Sequence, residues 1–138
     1  MSKNDNSTGA IKELSPYILL QPYRSTITIS KDIIKSLGYP KHVCLRINEQ
    51  TNSFAIIPCK PEDALSFKVP DKLFIDHHCV FRLTSKQFML NLILKHNLEV
   101  THVYACKGIY SQKMNAVIVS LNKDNLQVQN IITIPENN

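Results

Sequence analysis

Ser25-Thr-Ile-Thr-Ile-Ser30-Lys-Asp-Ile-Ile-Lys-Ser-Leu37-Gly38 decides how the chain is read. Ser25–Ile29 alternates β-branched residues, which fit a pleated, half-buried surface, so it predicts a strand. Ser30 stands where a helix N-cap stands, and Lys31–Leu37 predicts a helix of about two turns. Gly38 follows as its C′ residue, and Pro40 cannot continue the helix. His42-Val-Cys-Leu-Arg-Ile-Asn48 then alternates again, with Val43, Leu45 and Ile47 on one face and His42, Cys44 and Arg46 on the other. The cluster Glu49–Ser53 predicts a turn and Phe54-Ala-Ile-Ile-Pro58 a returning strand. The segment from 25 to 58 thus reads strand, short helix, strand, turn, strand.

Working outward, the same order recurs. Cys79–Leu83 predicts a strand, with Thr84 or Ser85 as cap and Lys86–His96 as a helix. Val100–Cys106 predicts a strand, Lys107–Lys113 a turn around Gly108, and Met114–Leu121 a further strand. Ser30-Lys31 aligns with Ser85-Lys86 at a separation of 55, which sets Ile33, Ile34 and Leu37 against Phe88, Met89 and Leu92. An internal duplication and two merely similar stretches both fit. Residues 1–14 are polar and read as a flexible arm, 15–60 as a first βαββ unit, 61–78 as a linker and 79–134 as a second unit. Within the linker, punctuated by Pro61 and Pro70, only Leu73–Ile75 suggests a short apolar element. Within the first unit, ahead of the strand at 25–29, lie an apolar run, Tyr17–Leu20, and a turn at Gln21–Arg24. Ile131–Ile134 is an edge strand or an ordered tail. The expected fold class is α+β: two related βαββ units in one compact domain, with short helices packed on antiparallel sheets.

Ile27–Gly38, followed by Val43–Ile47 and Phe54–Pro58, resembles the AbrB/MazE swapped-hairpin family of DNA-binding modules. A strand ending in Ser-Lys, a short helix, Leu-Gly and a hairpin closing on an apolar-Pro step carry that resemblance. It spans about residues 25–58, with a degenerate second copy at 80–121. The family's Gly-Asp turn is replaced here by Tyr39-Pro40-Lys41-His42. The resemblance implies a pseudo-two-fold pair of interlocked units within one chain, which lays a basic face on duplex DNA. It implies contacts by Arg24, Lys31, Lys35, Lys41 and Arg46 in the first copy and by Arg82 and Lys86 in the second.

The charge distribution points the same way. The chain has 138 residues with 16 Lys+Arg against 11 Asp+Glu, and a formal charge of +5. Residues 22–60 and 80–121 each carry +4, while the remainder carries −3. Cations that neutralise phosphates release condensed counterions, and Arg24 or Arg46 can bind a base edge bidentately. The same lysines and arginines also suit a solvated face or a guarded strand edge. Tyr17, Tyr23, Tyr39, Tyr104 and Tyr110 suit an interface as well as a sheet, so the alternative is a non-catalytic protein-interaction module of accessory or phage type, and a homodimer serves either reading.

Other chemistries find little in the sequence. There are 3 glycines and no phosphate-binding loop, zinc-protease motif or nucleophile elbow. Cys59, His77, His78 and Cys79 are zinc-ligand types, but neighbours on a strand point to opposite faces, and no second pair completes a tetrahedron. Cys106 with His96 or His102 lacks an orienting acid and an oxyanion loop. No enzyme activity, metal, cofactor or small-molecule substrate is therefore expected. With no apolar leader or membrane-length apolar run, the expected location is cytoplasmic, with the four cysteines as reduced thiols.

Overall fold

A computed structural model describes residues 17–75 and 80–134. The chain enters through β1 (Tyr17–Gln21), makes a 3-10 turn at Pro22–Arg24, and continues as β2 (Thr26–Ser30) directly into helix α1 (Lys31–Ser36). Then come β3 (His42–Asn48), β4 (Ser53–Pro58), a short β5 (Ser66–Lys68) and a second 3-10 turn at Asp71–Phe74. The second half runs β6 (Val80–Thr84), α2 (Lys86–His96), β7 (His102–Ser111), β8 (Ala116–Ser120) and β9 (Gln127–Ile131).

All pairings are antiparallel, in the order β5-β3-β4-β8-β7-β1-β2-β6, with β9 added on β7. The ten-residue β7 joins two sheets. Its residues 104–107 pair with β1 and 102–105 with β9, while 108–111 pair with β8. Gly108 sits at that changeover, where a Cβ would overlap the Val117 Cγ1 methyl. Glycine leaves that space to the Val117, Ile18 and Val119 side chains where β7 changes partner.

This corrects the expected α+β pair of swapped-hairpin units. The chain forms a nearly closed antiparallel barrel, with strand in 45% of its described residues. The order strand-helix-strand-strand occurs at 26–58 and at 80–120, but three further strands turn it into a continuous wall. β1, read as an apolar run, inserts between β2 and β7 and so ties the β2–β6 ladder to β7. β5 extends the wall beyond β3, from within the stretch read as a linker. β9 lies at 127–131, mostly ahead of the expected 131–134, and the expected turn at Lys107–Lys113 is largely strand. The helices, of six and eleven residues, are too few to make a layer.

They plug the barrel instead. α1 contributes Ile33 and Ile34 to the core and α2 contributes Phe88, Met89 and Leu92. These meet the inward residues of both sheets, Ile18, Leu20, Ile27, Ile29, Val43, Leu45, Phe54, Ile56, Val117 and Val119, in one hydrophobic cluster. Phe88 packs edge-to-face on Phe54 with ring centroids 5.1 Å apart, the geometry that aromatic quadrupoles favour. Among the described residues no helix is long and apolar enough to cross a membrane. The arm at 1–14, His77, His78 and Cys79, the last being the first residue of the second unit, lie outside the described residues.

Candidate nucleic-acid interface

β2 and β6, which open the two halves, pair with each other: Ile27 faces Leu83, Thr28 faces Arg82 and Ile29 faces Phe81. Ile27, Ile29, Phe81 and Leu83 point into the core; on the other face Arg82 is exposed, while Thr28 opposite it is buried. Each strand runs straight into a helix, which puts Lys31 just past one end of the ladder and Lys86 just past the other. The ladder between them has five residue pairs, four strand steps or about 13 Å.

Beyond the last ladder pair, the Ser85 amide donates to the Ser25 carbonyl at 3.0 Å. Ser25 takes a left-handed backbone there (φ 55°), closing the 3-10 turn that ends in Arg24. Arg24 and Lys86 therefore flank the same backbone hydrogen bond. Lys35 follows Lys31 by one helical turn. Arg24, Lys31, Lys35, Arg82 and Lys86 thus lie along one ladder and its two ends, where segments 24–36 and 80–87 include a single acid, Asp32. β6 is also a terminal strand of the sheet path, and an exposed arginine on an edge strand keeps other chains from pairing there.

The other two expected contacts are elsewhere. Lys41 precedes β3, where its carbonyl accepts from the Val69 amide at 2.8 Å beside β5. Arg46 lies on the outer face of β3 in the other sheet, and its Nη1 donates to the Ala64 carbonyl at 3.0 Å and the Leu45 carbonyl at 3.3 Å. It fastens the loop after β4, a role that depends on where residues 59–65 fold.

That outer face also carries an apolar row that the sequence reading missed. The register sets Arg46, Ala55, Ile118 and Ile109 side by side across β3, β4, β8 and β7. Together with Ile57 and the exposed Met114, Ala55 and Ile118 line a groove of about 830 Å³, with Asn48, Glu49, Thr51, Ser53 and Ser120 also bordering it. The signal was alternation: Ala55 and Ile57 are apolar at outward positions of β4, where a solvated sheet face would be polar.

Two of the cysteines differ from the expected reduced state, and Cys106 keeps it. Cys44 and Cys59 form a disulfide with Cα atoms 5.9 Å apart. Cys106 is a core thiol whose Sγ lies 3.6 Å from the Ile18 carbonyl, and burial pushes its pKa up to about 12. A thiol held protonated in that way is no nucleophile at neutral pH. Compared with protein-family models, with curated proteins and with solved structures, the chain matches none.

Proposed function

We propose that the protein is a non-catalytic DNA-binding protein that engages duplex phosphates along the β2–β6 ladder and its two helix starts. The observation that carries this reading is the assembly of five cations and one acid on that ladder from segments some 55 residues apart in sequence. Phosphate contacts of this kind fix the orientation of a protein on a duplex, and sequence is then read by side chains that reach base edges. Arg24 and Arg82, exposed at the end and middle of the ladder, are the residues assigned to that reach. A role in transcription control follows from the resemblance of residues 25–58 to AbrB/MazE modules and stands with it.

The test is a salt titration of binding to mixed-sequence duplex DNA. With four to five cations on phosphates, log affinity falls with log salt at a slope of about −4. Lys31→Glu with Lys86→Glu abolishes binding at moderate salt, whereas Lys113→Glu, on the β7–β8 turn, changes it little. Affinity that is weak at low salt, or indifferent to the double reversal, removes the DNA reading.

The apolar row on the opposite sheet favours a second reading, a protein-interaction module whose partner lays an apolar segment across Ala55, Ile118 and Ile109. Ile118→Asp then abolishes partner binding and leaves any DNA affinity intact.

A further inference from the structure

We propose that Cys44, Cys59 and Asp63 form a redox-gated zinc site, closed by the disulfide and opened by its reduction. The donor atoms of these three residues all lie within 4.8 Å of one another. Zinc holds thiolates at about 2.3 Å and carboxylates at about 2.1 Å in a tetrahedron, which sets donors roughly 3.5 to 3.8 Å apart. The three groups therefore reach coordination distance by small side-chain rotations, and a water supplies the fourth ligand, as in zinc sites with three protein donors.

The backbone keeps this geometry whether or not the sulfurs are bonded. Cys44 is fully buried in β3, between Ile57 of β4 and Ser66 of β5. Cys59 continues the β3–β4 ladder past its last pair, its amide donating to the His42 carbonyl at 3.0 Å. Asp63 is held by a reciprocal turn: its Oδ2 accepts from the Lys60 amide at 2.9 Å and its own amide donates to the Lys60 carbonyl at 3.1 Å. Arg46 ties down the next residue through the Ala64 carbonyl, and the Ser66 hydroxyl sits 3.4 Å from the Cys59 sulfur. The disulfide bridges a loop that main-chain hydrogen bonds already close, so breaking it leaves the donors in place. Ordered outer partners of this sort orient ligands and raise metal affinity.

The chemistry balances as thiol–disulfide exchange followed by proton release. Two molecules of a small thiol attack in turn, yielding two cysteine thiols and one small-molecule disulfide. Zinc then displaces both thiol protons to solvent and binds two thiolates and the Asp63 carboxylate. Arg46 stands two residues along β3 from Cys44, on the same face, and a cation so placed favours thiolates.

The test uses the full chain, reduced and oxidised, titrated with Co²⁺ and with Zn²⁺ against a chromophoric chelator, with intact mass reporting the loss of two hydrogens on oxidation. The reduced chain is expected to bind one ion and to show a thiolate-to-cobalt charge-transfer band, and oxidation by a small disulfide is expected to abolish both. Cys59→Ser removes the band, and Asp63→Asn, an exposed position that leaves the fold intact by circular dichroism, weakens zinc at least about 10-fold. A reduced chain that takes up no metal overturns the site. So does a cobalt band that survives Cys59→Ser, or a zinc affinity that Asp63→Asn leaves unchanged, either of which would place the metal elsewhere. An oxidised chain that still binds overturns the gate.

Discussion

The two halves of the barrel solve the same local problems with different groups. Each has a serine at the strand-to-helix junction. Ser85 caps α2, its Oγ accepting the Phe88 amide at 3.2 Å, and the helix runs eleven residues to a left-handed Asn97. Ser30 makes no such cap: its Oγ accepts the Tyr17 amide at 3.1 Å and so fastens the start of β1. α1 is left with Asp32 in its first turn as its only acidic complement to the helix dipole, and it lasts six residues. The same side chain serves the helix in one half and closure of the barrel in the other. The exits differ as well. The first half leaves β4 through the Cys44–Cys59 bridge, whereas the second leaves β8 through Asn125, whose Oδ1 accepts the Lys107 amide at 3.2 Å and whose Nδ2 donates to the Lys107 and Ser120 carbonyls at 3.0 and 2.9 Å. Lys107 is one of two residues of β7, with Cys106, that lie between its pairing with β9 and its pairing with β8. The Asn125 amide satisfies both backbone groups there, as a neighbouring strand would.

The largest test of this comparison sets Gly108 against Gly38. Gly108→Ala drives a methyl into Val117 at the point where β7 changes partner, and costs about 2 to 3 kcal/mol in urea unfolding. Gly38 ends α1 at φ +88° with open space around it, so Gly38→Ala costs only the conformational penalty, about 1 kcal/mol. Equal losses would mean that the Val117 methyl does not hold the space at residue 108.

Next comes the Asn125 clamp. Asn125→Ala leaves the Lys107 amide and carbonyl without their partner on that edge, at a cost of about 2 kcal/mol. Hydrogen exchange should rise at Lys107 while the Cys59 amide, in the other half, stays protected. Loosening at both places would show that the halves open together.

The serines give a smaller effect with a sharper readout. Ser85→Ala removes a helix cap and costs about 1 kcal/mol, seen as faster exchange at the Phe88 amide. Ser30→Ala costs a similar amount but exposes the Tyr17 amide and leaves α1 as helical as before. Fraying of α1 in Ser30→Ala would erase the distinction between the two junctions.

What could be read in advance follows the same division. The strand at 42–48 and the helix at 86–96 fall where alternation and capping put them, because both patterns are local. β1 is also an apolar run, but its placement depends on pairing with β7 nearly ninety residues away, which no periodicity reports. β9, Gln-Val-Gln-Asn-Ile, is exposed along its length and so carries no burial pattern at all. Gly108 was assigned to a turn because glycine marks turns and close backbone approaches alike. At the candidate interface, the two strand-to-helix junctions are local and legible, but their pairing with each other is tertiary, and the sequence reading grouped Lys41 and Arg46 with the five cations beside them. Arg46 has the same chemistry, yet it is drawn away by the Ala64 carbonyl of a loop whose path is tertiary.

The smallest effect concerns the one described ion pair that spans the halves. Lys95, in the last turn of α2, donates from Nζ to Glu49 Oε2 at 2.6 Å, in the turn between β3 and β4. That hydrogen bond, and then the lysine's charge, hold the Glu49 carboxyl below its ordinary value of 4.5. Because the folded-state pKa is depressed, the pair's contribution is present above 4.5 and is lost as the pH falls through the lowered value. Both side chains are more than half exposed, so water and salt screen the attraction. Glu49→Gln should therefore lower the thermal midpoint slightly at neutral pH and low salt. The difference from the parent protein should shrink in high salt, and it should vanish in acid once the parent carboxyl is protonated. A penalty that persists in acid would mean that Glu49 joins the halves by packing, and that the turn and α2 are a single unit.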